Sequence, residues 1–268
     1  MDSNTRKVII IGAGNVASHL ARAVSSAPGY ELAAVVNRGE EGLRALLQRL
    51  PPASCTVGLP LGCDFSAMRP DIVVVSVPDG AIASVAATYP GLPGNPLCLL
   101  TSGTVGREAL ASMSPANGTL YPLQSFTKGI PVNFKEIPIF TDANTRGALA
   151  QTDALARALS DHVYHADAEE RRTLHIAGVF SNNFVNILLE KTREILAAKG
   201  LPLDIVRPLV ENTVLKAFTA GPRESMTGPA RRGDKAVMRS QHDSLPAELQ
   251  PVYEVMSRLI TDTFSQKQ

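Results

Sequence analysis

The chain has 268 residues and a formal net charge of +1, with its lysines and arginines scattered along it. That length suits one large domain or two modest ones, and the balanced charge argues against a nucleic-acid surface, which needs a concentrated basic face. No apolar stretch approaches the length of a membrane-spanning helix, residues 1–7 are polar, and the chain reads as cytoplasmic.

The first predicted element is the apolar run Val8-Ile9-Ile10-Ile11, a buried strand. Gly12-Ala13-Gly14-Asn15-Val16-Ala17 follows it directly and opens a helical segment from Asn15 to Val24. In this setting the spacing has a physical meaning. Gly12 permits a tight turn off the strand, Gly14 lets backbone N–H groups approach a pyrophosphate, and Ala17 lets the helix pack close to the strand. The positive end of the helix then faces the phosphates. Gly12, Ala13, Gly14, Asn15 and Val16 are therefore expected cofactor-binding positions.

Glu31 to Val36 reads as the second strand, and Asn37-Arg38 closes it. An NAD site places an acid roughly 20 residues beyond the glycine turn for the ribose 2′-hydroxyl. Here that place holds an amide and a guanidinium, which suit a 2′-phosphate, so NADP(H) is the expected cofactor. The competing reading makes Arg38 a solvated cation neutralised by Glu40 or Glu41.

A helix is expected over 40–50, then a Pro/Gly-rich connection from Pro51 to Gly62 and a strand from Asp71 to Val77. Pro78-Asp79 and a helix from Ala81 to Ala87 follow, then a strand over Leu97 to Thr101, Ser102-Gly103-Thr104 and a helix from Arg107 to Met113. Strand and helix alternate as in a parallel sheet covered on both faces. Ligands of such sheets bind beyond the carboxyl ends of the strands, which adds Val77, Pro78 and Ser102 to the cofactor side of one crevice. Asp79 and Ser102 also stand where helix caps would, and the cap is the favoured role for Asp79.

Further strands near Thr119-Leu120 and Ile137 to Phe140 flank Tyr121-Pro122-Leu123-Gln124-Ser125-Phe126-Thr127-Lys128-Gly129, a segment rich in hydrogen-bonding groups. Gln124, Ser125 and Lys128 are substrate-binding candidates if it is a binding loop; otherwise it is a surface turn with a solvated Lys128.

A helix over Thr145 to Leu159 and a short strand at His162 to His165 come next. From Ala168 the pattern turns helical, to about Lys199, then from Leu203 to Thr219 and from Ala247 to Phe264. The expected domains are thus 1–167, which binds the dinucleotide, and 168–268, all helical.

At a hundred degrees per residue, His175, Asn182 and Asn186 fall within about 20° of one line on the long helix, between apolar flanks. A narrow line of His and Asn on an otherwise apolar helix needs partners, either substrate and nicotinamide or the carbonyls of a neighbouring helix. A histidine can deliver a proton while hydride arrives at carbon, and the amides would orient the reacting group, making these three the catalytic candidates. In Thr227-Gly228-Pro229-Ala230-Arg231-Arg232-Gly233-Asp234, Arg232 would hold a substrate carboxylate with Asp234 beside it; alternatively the two pair, or Asp234 caps a helix. Cys55, Cys63 and Cys98 show no CxxC spacing, the histidines form no HExxH, and no metal is expected.

Taken together, the glycine turn, Ser76-Val77-Pro78-Asp79, Thr101-Ser102-Gly103-Thr104, Tyr121 to Phe126, His175 to Phe184 and Thr227 to Asp234 resemble a bacterial family of Rossmann-like NADP oxidoreductases. Its members resemble F420-dependent NADP oxidoreductases and carry a C-terminal helical domain of unknown function. More distantly the chain is similar to pyrroline-5-carboxylate reductase and the β-hydroxyacid dehydrogenases. The resemblance implies an α/β fold: a doubly wound Rossmann sheet followed by an all-helical domain like the C-terminal domain of 6-phosphogluconate dehydrogenase. It also implies hydride transfer to or from a small carbonyl or imine substrate and a homodimer. The lysine of the hydroxyacid dehydrogenases is replaced by Val179, which leaves His175 as the titratable substitute. That replacement also keeps a second reading open, a nucleotide-binding regulatory or scaffold protein without turnover.

Overall fold

A computed structural model of the chain describes residues 5–52 and 54–265; the first residues of the polar start and residue 53 of the Pro51–Gly62 connection lie outside them. The described residues form two compact units, divided after Ile187.

The first unit is built on an eight-stranded sheet. Its strands are β1 (Arg6–Ile11), β2 (Tyr30–Asn37), β3 (Val57–Pro60), β4 (Ile72–Val75), β5 (Leu97–Leu100), β6 (Asn117–Pro122), β7 (Ile139–Ala143) and β8 (Val163–His165). Their order is β3-β2-β1-β4-β5-β6-β7-β8. The strands β1 to β6 pair in parallel, β7 runs antiparallel to β6, and β8 runs parallel to β7. The first six therefore follow the doubly wound order, whose switch point lies between β1 and β4.

Alternation along the strands explains why the sheet is covered on both faces. Val8, Ile10, Val35, Ile72, Val74 and Leu99 pack against α1 (Asn15–Ser25), α2 (Glu40–Leu47) and the later α4 (Arg146–Leu159). Ile9, Ile11, Val73, Val75 and Leu100 pack on the other face, against α3 (Asp79–Thr88) and the turn at Arg107–Leu110. That turn is a short 3₁₀ segment where an α-helix to Met113 was expected. The buried Leu110 and Met113 stand three residues apart, a spacing that 3₁₀ geometry stacks on one side. β3 falls inside the expected irregular connection, pairing with β2 from Ala34↔Val57 to Asn37↔Pro60.

The long helix is not continuous. It consists of α5 (Ala168–Gly178), a π-helical turn (Val179–Asn183) and α6 (Phe184–Ala197). Asp167 caps α5, accepting from Glu169 N and Glu170 N while Glu170 Oε2 accepts from Asp167 N. The boundary between the two units falls within α6.

The second unit contains the remainder of α6, α7 (Arg207–Ala220), single turns α8 (Pro222–Ser225) and α9 (Pro229–Arg232), α10 (Lys235–Asp243) and α11 (Gln250–Ser265). No helix among the described residues is long and apolar enough to cross a membrane.

Candidate active-site crevice

At the switch point the carboxyl ends of β1 and β4 lie side by side, Ile11 opposite Val75. Gly12 leaves β1 with φ +127, and its N–H donates to Val36 O at 2.7 Å. A Cβ at Gly12 would stand 2.0 Å from Ser76 O, so the turn fits between two strands only without a side chain. Gly14 is the N-cap of α1, with no side-chain cap and open space where a Cβ would stand. The first-turn N–H groups of α1 are consequently free of a side-chain acceptor. An eleven-residue helix with an uncapped N-terminus and an open glycine in front of it fits a pyrophosphate.

These positions line one wall of a crevice of about 540 Å³. Gly14, Asn15 and Val16 meet Val77, Pro78, Asp79, Ser102 and Gly103 there, so the glycine turn and the ends of β4 and β5 converge. Gly12 and Ala13 are buried behind it. Ser102 Oγ accepts from Thr104 N at 3.1 Å and Val105 N at 2.9 Å, which fixes the loop after β5. Asp79 is the first residue of α3, after the N-cap Pro78, and its carboxylate accepts from the Thr104 hydroxyl, tying the two loops together.

Asn37 and Arg38 stand at the neighbouring end of β2 but do not line this crevice. Asn37 Nδ2 donates to Gly39 O at 2.8 Å. Arg38 is exposed and makes no ion pair among the described residues; Glu40 pairs instead with Arg44 at 2.8 Å.

The opposite wall comes from the end of β6 and from α5 with its π-turn. Tyr121, Gln124, Ser125, His175, Gly178, Ser181, Asn182 and Asn183 line it. Tyr121 is 8% exposed, and its hydroxyl lies 3.2 Å from His175 Nδ1. Burial pushes the Tyr121 phenol above its ordinary value, so it stays protonated. A Cβ at Gly103 would stand 2.9 Å from Tyr121 Cζ and 3.0 Å from His175 Nδ1, so the absence of a side chain there admits the pair. Tyr121 is the member of the site that the sequence pattern missed; its signal was a position at the end of a strand, beside Pro122.

The π-turn bears on the expected polar line. It adds a residue to the turn, shifting the phase of the helix that follows. Asn182 and Asn183 face the crevice, whereas Asn186, beyond the π-turn, is not among its lining residues. Asn182 Nδ2 donates to Asn183 Oδ1 at 3.2 Å. Lys128 also departs from the crevice: the chain turns at Gly129, φ +86, and Lys128 lines a different cleft. In the second unit Arg232 is exposed and Asp234 caps α10, accepting from Val237 N at 3.2 Å.

The helix that carries His175 is anchored by Arg171. This side chain is 1% exposed and donates from Nη1 to Ala166 O at 3.1 Å and Asp142 Oδ2 at 3.5 Å. Arg107 Nη1 lies 3.6 Å from the same oxygen.

Residues 7–97 match the family model described as NADP oxidoreductase, coenzyme F420-dependent, and residues 137–260 match a domain of unknown function, DUF2520. BF3122 of Bacteroides fragilis, provisionally named an NADP oxidoreductase, is 32% identical over 97% of this chain and 99% of its own, with a TM-score of 0.85. The chain belongs to that NADP oxidoreductase family. Two more distant structures share the fold. Pyrroline carboxylate reductase of Plasmodium falciparum, solved with NADP bound, is 11% identical over 97% of this chain and 99% of its own, TM-score 0.59. An imine reductase of Myxococcus stipitatus in complex with NADP+ is 15% identical over 97% and 93%, TM-score 0.58. No curated protein matches the sequence. Family membership agrees with the Rossmann-type sheet, the uncapped α1 terminus and the helical C-terminal region described above.

Proposed function

We propose that the protein is an NADP(H)-dependent reductase of small carbonyl or imine compounds, with the crevice as its active site. The observation that carries this reading is the facing of two walls: a dinucleotide turn on one, a Tyr121–His175 hydrogen bond on the other. Gly12, Ala13, Gly14, Asn15 and Val16 would hold the pyrophosphate, Val77, Pro78 and Ser102 the nicotinamide half, and Asn37 and Arg38 the 2′-phosphate. Arg38 supports the last role by having no carboxylate partner among the described residues. Bound in this way, NADPH supplies a hydride.

The chain's own residues handle the proton. The Tyr121 hydroxyl, itself protonated, accepts from Nδ1–H of a protonated His175 and so orients the ring. The imidazolium gives its Nε2 proton to the oxygen of a carbonyl or the nitrogen of an imine as hydride reaches carbon, and is left as the neutral imidazole, to be reprotonated from solvent. Asn182, with Gln124 and Ser125, orients the substrate; of the wall that faces the dinucleotide turn, the DUF2520 region supplies His175 and Asn182, and the end of β6 supplies Tyr121. Fold-level kinship with imine and pyrroline carboxylate reductases supports hydride transfer to a C=N bond. The division of labour we assign is dinucleotide binding by 1–167 and substrate binding and self-association by the helical 168–268. Arg232 and Asp234 belong to that second part, while Asn186 and Lys128 lie outside the crevice lining and take no part in the site we assign. The exposed apolar helices of the second unit support a homodimer, and the lack of a long apolar helix is compatible with a cytoplasmic enzyme.

Fluorescence titration with NADPH and NADH on wild type and Arg38→Ala tests the cofactor. The expected result is tighter NADPH binding that weakens about 10- to 100-fold in the variant, with NADH unchanged. Failure of both nucleotides to bind would remove the reductase reading. A cyclic imine is then the first substrate to assay, with His175→Ala expected to lower kcat by roughly 100-fold or more while NADPH binding persists.

A further inference from the structure

A second cleft, about 450 Å³, lies on the same unit but shares no lining residue with the crevice. One side is α1 through Ser18, His19, Arg22, Ala23 and Ser26; Arg49, just beyond α2, and the loop from Lys128 to Phe134 complete it. The loop is held in place. His19 Nε2 bonds Thr127 O at 2.9 Å, Ile130 N donates to Thr127 O at 3.1 Å, and Phe126 stacks on Phe134 with centroids 5.9 Å apart.

Three cations from three separate segments, Arg22, Arg49 and Lys128, converge on this cleft. No carboxylate lines it, and none of the three makes an ion pair among the described residues. Bringing like charges together around a concave surface raises the energy of the free protein and focuses a positive potential into the cleft. A bound anion removes that cost. Ser26 adds a hydroxyl, the Ser18 hydroxyl being engaged with Gly14 O at 2.8 Å, while Ala23, Ile130, Val132 and Phe134 give the cleft an apolar part. The volume lies in the range of small-molecule sites rather than of single ions.

We propose that this cleft is a second ligand site, taking a phosphomonoester with an apolar body: the phosphate between Arg22, Arg49 and Lys128, the apolar body against Ile130, Val132 and Phe134. Guanidinium groups from α1 and the segment after α2 offer forked donors to a dianion, and Lys128 adds a point charge from the loop. The site is independent of the cofactor assignment, because none of its residues belongs to the glycine turn or the catalytic wall.

Calorimetric titration of the full chain with phenyl phosphate, inorganic phosphate and the neutral p-cresol tests it. Phenyl phosphate is expected to bind more tightly than inorganic phosphate, p-cresol not to bind, and Arg22→Gln and Arg49→Gln each to weaken phenyl phosphate about tenfold. Both side chains are exposed, so neither substitution threatens the fold, and Lys128→Gln on the loop gives a third, independent variant. Absence of phenyl phosphate binding at about 10 mM would overturn the proposal, as would an affinity that none of the three variants changes. The second outcome would place the phosphate elsewhere, most simply at the α1 terminus.

Discussion

The two units of this chain solve the problem of burial differently. In the sheet unit the inward residues of β1, β2, β4 and β5 are almost wholly excluded from solvent, on both faces of the sheet. Among the described residues of the helical unit, Ala230, Leu249 and Ser257 are the buried ones, while Phe218 is 89% exposed and Leu209, Leu215, Val255 and Leu259 are also open. A parallel sheet between helix layers encloses its own apolar surface, and the crevice is cut into the rim of that enclosed structure. A set of separate amphipathic helices encloses little, and exposed apolar area on this scale marks a surface built to be covered. The crevice thus rests on the unit whose packing is complete within itself.

The strongest challenge to that contrast is at the glycine turn. Gly12→Ala places a methyl group 2.0 Å from Ser76 O at a backbone φ of +127, and both terms are unfavourable. A loss of about 3–5 kcal/mol is expected in chemical denaturation. Gly14→Ala meets nothing within 4 Å at φ −72, so it should fold normally and lose dinucleotide affinity instead. Equal stability of the two variants would mean that the strand ends are less tightly joined than the backbone shows.

Next in size is a pair of truncations. Leu99→Ala in the fully buried β5 should cost about 2–5 kcal/mol, whereas Phe218→Ala on α7 should change the stability of a monomer by less than about 0.5 kcal/mol. Measured over a range of protein concentrations, a Phe218→Ala loss that grows with concentration would identify a second copy as the cover of the helical unit.

Asp142 sharpens the comparison on the wall that carries His175. Burial pulls Arg171 below its ordinary value, and Asp142 is the carboxylate that opposes this. Asp142→Ala would strand a buried guanidinium and is expected to cost about 3 kcal/mol, while Arg171→Met, which removes the charge and keeps much of the volume, should cost less. The reverse order would show that Arg171 acts through packing rather than charge. Since Arg171 lies one turn before His175, Arg171→Met should also disturb the pH profile of turnover more than NADPH binding.

Legibility in the sequence followed the same division. Continuous apolar runs announced β1, β2, β4 and β5, because strands buried on both faces admit few polar residues. β3 was hidden by Gly58 and Pro60; a Cβ at Gly58 would press on the side-chain ends of Leu47 and Leu43, at 2.7 and 3.1 Å, so the small residue lets α2 pack close to the strand. In the helical unit, the polar composition of α10 concealed its extent, although Asp234 does cap it. At the site, the glycine turn was readable from spacing alone. The Tyr121–His175 pair joins residues 54 apart and follows from β6 and α5 meeting, which no local pattern records. Nor does composition reveal the π-turn at Val179–Asn183, since it is a change of hydrogen-bond partner and not of residue type, and the line from His175 to Asn186 bends there.

The smallest expected effect concerns the cysteines, which sample three depths of the sheet unit. Cys55 is exposed, Cys63 is partly covered with its thiol pushed up by burial, and Cys98 on β5 is buried with its pKa pushed up to about 12. Thiol labelling near pH 8 should therefore modify Cys55 first and Cys63 more slowly, with Cys98 reacting on the order of a thousandfold more slowly unless the sheet opens. Burial in β5 favours the neutral thiol of Cys98, so the unfolded chain loses its proton at a lower pH than the folded one. The stability this contributes is fully present below the ordinary value of 9.0 and is lost as pH rises from there toward about 12. Cys98→Ala, though less stable at neutral pH because of the cavity, should consequently show a flatter decline of stability over that alkaline window. An identical slope in wild type and variant would mean that Cys98 ionises in the folded sheet as readily as in the open chain, and that β5 is not the sealed centre its packing implies.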